Sequence, residues 1–540
     1  MPEPVKVKVG IPTLLGGLFL LNVLLLTPRW VVAGGPSPPW IALEAFLLVG
    51  FLALLPRRRW SLVGGAAAAL VAALVALLAF SDAAARLSLA RPLNLYLDVH
   101  LVRPVLHLLV GNMGWARTVL LALGVVVLAV GVTGVLAFLL TRLPAPSPAR
   151  PRRVMGALLL ALSTLGLVGG RFPALAPQVA LPVVDLAREQ VHYLSRMLGE
   201  RERFAGEMAA SPSAYGDLPG LLEGLGGRDV VLAFLESYGI SALDDPRYAP
   251  VIQPRLDDLE VRMEAAGLHM VSGALVAPSA GGQSWLGRGS ILSGLWLDNQ
   301  LRYELLLASD RETLVDDFRR AGFRTVALMP AITMVWPEGE RFGYDEIFAH
   351  RDIEYRGPPL NWVTMPDQFT WSYLETAIRS DPDPRPLFAE VALISSHAPW
   401  VPILPVLEDW DAIGDGSVFN PWENAGERPE DLWRDTDRVR EHFALSVDYV
   451  LHAMTAYAER FMDEGTLLIA MGDHQPAPLI TGEDASRDVP VHVISGDPTL
   501  LEPFLAWGFR PGARPDPDRP APRMDAFRNW FIQAFSADPF

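Results

Sequence analysis

The stretch Thr466–Pro476, TLLIAMGDHQP, carries five apolar residues in succession, stops at Gly472, and delivers at once a carboxylate and an imidazole, Asp473 and His474. A short continuous apolar run closed by glycine reads as a strand buried on both faces, the pattern of a parallel sheet with helices on either side. Working outward, the runs DVVLAFLES (Asp229–Ser237), RTVALMP (Arg324–Pro330), PLFAEVALISS (Pro386–Ser396) and VPVHVIS (Val489–Ser495) read the same way. Between them, RETLVDDFRRAG (Arg311–Gly322) and HFALSVDYVLHAMTAYAERFMDEG (His442–Gly465) have helical spacing. The alternation predicts an α/β domain over residues 218–540, its sheet covered on both faces.

In such sheets the chemistry lies beyond the carboxyl ends of the strands. The first run ends in Glu236, the third in Ser395, Ser396 and His397, and the fourth in Asp473 and His474. Taken singly, these are ordinary capping, loop and turn residues. Together they bring hard oxygen and imidazole donors to one sheet edge, a set suited to a divalent ion such as Mn²⁺ or Zn²⁺. A hydroxyl beside such an ion would lose its proton near neutral pH and become a nucleophile.

The rest of the chain has a different character. Of 540 residues 51% are hydrophobic, and the charge is divided between the two ends: residues 1–170 carry a net +10 and the remainder −26. The acidic part argues against nucleic acid as a partner, and the basic part suits anionic lipid. Five apolar segments near bilayer length, at 9–27, 39–55, 61–80, 117–141 and 154–171, predict five spans within residues 1–171. Lys6 and Lys8, then Arg57, Arg58 and Arg59, then Arg142, Arg150, Arg152 and Arg153 fall in alternate loops. By the positive-inside rule these loops are cytoplasmic and everything from about 172 onward is outside. The loop Arg91–Asn112 on the outer side mixes charge with Leu and Val and reads as an interfacial amphipathic helix. Residues 172–217 read as a helical connector. Cysteine is absent, which excludes disulfides, thiolate nucleophiles and cysteine-based zinc sites.

The motifs VLAFLESYG (Val231–Gly239), SAGGQSWLGRGSILSG (Ser279–Gly294), FGYDEIF (Phe342–Phe348), ISSHAPW (Ile394–Trp400) and MGDHQP (Met471–Pro476) resemble, in type and approximate spacing, the sulfatase/alkaline phosphatase superfamily. The lipoteichoic acid synthase and phosphoglycerol transferase branch, with a five-span anchor before an extracellular sulfatase-like domain, matches the layout of the whole chain. The resemblance implies Glu236, Asp473 and His474 as metal ligands. Ser284 falls where the branch has a metal-contacting threonine nucleophile, with Ser279 and Ser290 as alternatives in the same glycine-rich stretch. It further implies His397, Trp336 and Arg341 as residues that hold the substrate, and Mn²⁺ as the metal, with Zn²⁺ or Mg²⁺ as alternatives.

The function expected is that of a bacterial inner-membrane, multi-pass phosphotransferase. It would move a phosphoglycerol-type head group from a phospholipid donor to a glycan or lipid acceptor of the envelope through a phospho-serine. Phosphoethanolamine transfer and phosphodiester or sulfate ester hydrolysis are the alternatives on the same fold. A formylglycine sulfatase is disfavoured, since no cysteine exists and QSWLGRG has Leu286 where that pattern needs proline. An inactive membrane scaffold would have no reason to keep ligands at several strand ends. A transporter would need ionisable residues inside the spans, where Glu44 is the one acid well within.

Overall fold

The computed structural model describes residues 11–32, 39–144, 150–169, 178–211, 215, 218–482 and 485–537; Lys6 and Lys8 lie outside these. The chain divides into two compact units, residues 1–87 with 91–198, and residues 88–90 with 199–540.

The first unit contains α1 (Ile11–Val32), β1 (Ile41–Ala42), α2 (Leu43–Leu54), α3 (Arg59–Leu89), α4 (Val102–Met113), α5 (Trp115–Thr141), α6 (Arg150–Gly169), β2 (Val179–Ala180) and the first part of α7 (Pro182–Ala210). Three of these helices, α1, α3 and α5, are long and apolar enough to cross a membrane. The other two expected spans are apolar but shorter, Leu43–Leu54 and Arg153–Leu167. With 12 residues, α2 reaches about 18 Å against a hydrocarbon core of about 30 Å. It starts only after β1, which pairs in parallel with β2, and it stops short of Pro56. α2 packs on α6 where Gly50 and Gly156 meet: a Cβ on Gly50 would stand 3.0 Å from the Gly156 carbonyl oxygen, and one on Gly156 3.1 Å from that of Gly50. Small residues let helix backbones approach this closely where apolar surroundings supply no hydrophobic drive.

The second unit is built on an eight-stranded sheet. Its strands are β3 (Asp229–Leu235), β4 (His269–Val276), β5 (Arg324–Met329), β6 (Glu346–Ala349), β7 (Leu387–Leu393), β8 (Thr466–Gly472), β9 (Asp488–Ser495) and β10 (Arg510–Pro511), in the order β10-β4-β9-β8-β3-β7-β5-β6. From β8 through β6 the pairings are parallel, whereas β9 runs antiparallel to both β8 and β4. Alternation along β3 explains how the layers form. Val231, Ala233 and Leu235 face one core with the helices Ala249–Ala265 and Thr436–Phe461. Val230, Leu232 and Phe234 face the other with Ser284–Ser293, Leu314–Arg320 and Phe527–Phe535. A strand apolar on both faces needs such cover on both sides, so the apolar runs of β3 and β8 and the three-layer arrangement have one cause; β7 is buried likewise but carries Glu390 within its run.

Two antiparallel steps make β4 run in the direction of β8. The segment after β4 therefore emerges at the same edge as the ends of β3, β7 and β8, and this brings Ser284 to that edge.

Candidate active site

Glu236 follows β3 directly, and Asp473 and His474 follow the neighbouring β8; all three are buried. Gly472 makes the close approach possible, because a Cβ there would fall well inside contact distance of the Tyr238 carbonyl oxygen. Ser237 has φ +55°, a left-handed conformation that costs a non-glycine residue about 1 kcal/mol or more. Its amide is held at 2.8 Å by Asp473 Oδ1, which also accepts from the His474 amide at 2.7 Å. Oδ1 is therefore saturated by backbone, and the side chain is fixed.

The remaining donor atoms converge. One ligand atom from each of Glu236, Asp473 and His474 lies within 4.8 Å of the other two. His474 Nε2 is 3.3 Å from Glu236 Oε1 and 3.7 Å from Asp473 Oδ2. His474 Nδ1 lies 2.8 Å from the Gln475 carbonyl oxygen, which requires the proton on Nδ1 and leaves Nε2 its lone pair. Asp473 Oδ2 and His474 Nε2 are both buried without a hydrogen-bond partner. Buried polar atoms are seldom left so, and separations of 3–4 Å are those of ligands sharing an ion at about 2.0–2.2 Å. The three residues fit a divalent cation.

The electrostatics agree. With protons alone to neutralise them, the groups share charge: burial opposes ionisation of Glu236, but the imidazole of His474 outweighs it and holds that carboxyl well below the usual range. Burial and the Glu236 charge push Asp473 up to about 7. Burial works against the imidazolium of His474, yet Asp473 and Glu236 raise it to about 9. Two carboxylates and one imidazole in a dry site call for positive charge, which a proton supplies when no metal does.

Ser284 opens the helix Ser284–Ser293. The segment that carries it crosses from β4 past β9 and is pinned to the ligand pair: Ala280 bridges Gln475, and the Gly281 amide donates to the Gln475 carbonyl oxygen at 2.7 Å. Gly281 at φ +73° and Gln283 at φ +64° turn the chain into the helix. One turn on, Gly287 rests against the Asp473 carbonyl oxygen, 2.8 Å from where a Cβ would be. The Ser284 hydroxyl donates to Glu236 Oε2 at 3.3 Å. The other two serines are committed to backbone: Ser279 Oγ donates to the Gln283 carbonyl oxygen at 3.5 Å, and Ser290 Oγ donates to that of Leu286 at 2.8 Å and accepts from the Leu297 amide at 3.0 Å. Ser284 is thus the one of the three that reaches the trio.

His397 is half-buried at the end of β7. Its Nδ1 faces the Ala398 carbonyl oxygen at 2.6 Å, so Nε2 is the acceptor, and burial lowers its basicity. Its ring stacks on Trp362, with centroids 3.6 Å apart. It lines a cleft with Leu360, Val363, Ser395, Leu404 and Tyr449. Beneath it, Asp367 Oδ1 accepts from the amides of Ile394 at 2.7 Å and Ser395 at 3.0 Å, fixing the strand end that carries the imidazole.

Arg341 is engaged with backbone. Its guanidinium donates to the carbonyl oxygens of Leu307, Ser309 and Arg311, tying down the end of the helix Gln300–Leu307. Trp336 follows β5 at the site-bearing edge, but its ring packs over Gly339 of its own turn, where any Cβ would collide with it. A guanidinium whose charge is felt at the trio is that of Arg288, four residues past Ser284 and on the same helix face. It lies 5.4 Å over the Phe234 ring, donates to Met329 Sδ at 3.0 Å, and approaches Glu390 to 4.0 Å. Its Nε makes no hydrogen bond, and its charge acts to lower the pKa of Asp473. Arg288 had a signal in the sequence, its spacing from Ser284. Trp362 had none, since 35 positions separate it from the imidazole it supports.

No protein-family profile matches the chain, and no curated protein is significantly similar to it. Among solved structures it is similar to the lipoteichoic acid synthase LtaP from Listeria monocytogenes, at 10% identity over 63% of this chain and 79% of that one, with a TM-score of 0.38. It is similar also to the zinc complex of the C-terminal periplasmic domain of EcEptC from Escherichia coli (13%; 57% and 82%; TM-score 0.35) and to the Streptococcus pyogenes phosphoglycerol transferase GacH in complex with sn-glycerol-1-phosphate (13%; 55% and 74%; TM-score 0.33).

Proposed function

We propose that the chain is a metal-dependent phosphotransferase of the sulfatase-like kind, anchored in a bacterial inner membrane by its apolar helices. It takes a phosphoglycerol-type head group from a phospholipid donor and passes it to an envelope glycan or lipid. The observation that carries this reading is the pair of buried, unpartnered ligand atoms on Asp473 and His474, with Ser284 at a helix start pressed against the same backbone. Mn²⁺, or else Zn²⁺ or Mg²⁺, held by Glu236, Asp473, His474 and Ser284, would stabilise the serine alkoxide and offset charge on the phosphoryl oxygens.

The residues do the rest. Ser284 Oγ, its proton lost to solvent, attacks phosphorus; the new O–P bond forms as the bond to the diacylglycerol oxygen breaks, and that oxygen takes a proton from water. The first amides of Ser284–Ser293 face the incoming anion, and Arg288 adds a fixed positive charge. In the second step the incoming hydroxyl oxygen bonds to phosphorus as the Ser284 O–P bond breaks. His397 Nε2, held as an acceptor by the Nδ1 contact to Ala398, receives the hydroxyl's proton, and the serine oxygen regains its own from solvent. An anchored site keeps its lipid donor at high effective concentration.

The test uses the full chain in phosphatidylglycerol vesicles with Mn²⁺. Release of diacylglycerol, together with a modified peptide that maps to Ser284, is the expected result. A folded protein that neither binds a divalent ion nor releases diacylglycerol would overturn the reading.

A further inference from the structure

Between α3 and α5 the chain makes a feature that the catalytic reading does not use. Residues 95–106 form a turn, a short 3₁₀ segment (Asp98–Leu101) and the start of α4. One side of this segment is anchored: Asn94, Leu97 and Asp98 are buried, Arg91 holds Asp98 at 2.6 Å, and Asp98 accepts from the Asn94 amide at 2.8 Å. The opposite side carries Leu95, Val99, Val102 and Leu106 at near-helical spacing, all between 47% and 63% exposed, with Tyr96 and Val105 beside them. Arg103 and His107 flank the stripe and are exposed as well. A stripe turned outward by a firmly held inner side is a built surface.

Its position along the chain says what covers it. A single residue, Gly114 at φ +79°, separates α4 from α5, so the end of α4 lies within about 8 Å of the start of a helix long enough to span. The first residue of α5 is Trp115, 70% exposed, and beyond it Leu120, Val127 and Val130 expose apolar surface along the helix. Tryptophan and tyrosine at such a junction belong to the bilayer's interfacial belt. At 12 residues, with Arg103, Pro104 and His107 inside it, α4 is too short and too polar to cross.

We propose that residues 95–106 lie in the head-group layer of the bilayer, the stripe of Leu95, Val99, Val102 and Leu106 set into the upper acyl region and Arg103 and His107 at head-group level. Through Gly114 the segment leads directly into α5, and its partner is lipid. It rests on α3 and α5 being spans and is independent of the catalytic reading.

The absence of cysteine makes the test direct. Single variants Val102→Cys, Leu106→Cys, Arg103→Cys, Val127→Cys and Val261→Cys in the full chain are labelled with an environment-sensitive fluorophore. Each is reconstituted in phosphatidylethanolamine–phosphatidylglycerol vesicles that carry a nitroxide at the head group, near the top of the acyl chain, or near its middle. The proposal requires positions 102 and 106 to lose fluorescence chiefly to the shallow acyl nitroxide and position 103 to the head-group nitroxide. Position 127 loses it to the deep nitroxide, and 261, on the exposed face of Ala249–Ala265, to none. Bright labels at 102 and 106 beside a quenched 127 would overturn the proposal alone, as would deep quenching at 102 and 106. A bright label at 127 would overturn the span reading and the proposal together.

Discussion

Asp473 and Asp317 are both 0% exposed, in the same unit, and their surroundings are opposite. Asp317, on the helix Leu314–Arg320, meets Arg528 through two contacts, Nε to Oδ2 at 2.8 Å and Nη2 to Oδ1 at 3.1 Å. Arg528 is itself fully buried. Even so, burial lifts the Asp317 carboxyl to about 6 against the pull of the guanidinium. Asp473 Oδ2 has no hydrogen-bond partner and stands beside the second acid Glu236, with the imidazole of His474 3.7 Å away. The fold completes one buried carboxylate with its own arginine and leaves the other to be completed from outside. This is the difference between an acid that serves packing and one arranged for a ligand.

The sharpest way to break that contrast is at the trio. Ser284→Ala should lower turnover by about a thousandfold or more, ~4 kcal/mol of transition-state stabilisation, with no modified enzyme in a mass spectrum. Asp473→Asn should lose turnover to the same degree and bind no ion by elemental analysis. A Ser284→Ala protein as active as the parent would mean that the edge is not catalytic. At the other carboxylate, Arg528→Met leaves Asp317 buried and alone and should cost about 3–5 kcal/mol in a urea titration, with ion content per folded molecule unchanged. Pairing it with Asp317→Leu should recover most of that loss, because an apolar pair needs no cation.

Smaller effects sharpen the contrast. Saturation at about a hundredfold over Kd should stabilise the protein against unfolding by about 2.7 kcal/mol; Arg528→Met should keep this increment and Asp473→Asn should lose it. The ion must displace protons from the trio, so its apparent affinity should rise with pH while Asp473, held up to about 7, and His474, up to about 9, give up their protons. The expected slope is about tenfold per pH unit for each proton released, and a flat profile from pH 6 to 9 would contradict the assignment of these groups as ligands. Least affected should be Ser279→Ala, whose turnover stays within about tenfold, ~1.4 kcal/mol.

Much of this edge was legible because its strands are largely apolar on both faces and each polar end stands out against its run. Glu236, His397, Asp473 and His474 were found that way. β4 was not: its run HMVSGALV is broken by Ser272 and Gly273, and only in the fold do these have partners, Ser272 Oγ at 2.8 Å from His492 Nδ1 and Gly273 under the Phe509 ring. Without β4, the route that brings Ser284 to the trio could not be read, although the serine could. The backbone partners of Arg341 could not be read for a related reason. Its distance from Trp336 along the chain carried no information about which helix end its guanidinium would close. The membrane unit shows a third limit, for hydropathy counts α2 as a span whereas the strand before it and Pro56 after it set its length at 12 residues.

Gln475 is the residue through which the two halves of the chemistry are tied. Its carbonyl oxygen takes both the Nδ1 proton of His474 and the amide of Gly281, while two residues earlier the Asp473 carbonyl supports Gly287. Three consecutive peptides thus serve as the common mount of ligand and nucleophile. An engineer who shifts the ion by altering this mount will shift the serine with it, and so will find that metal preference and reaction rate move together under mutation.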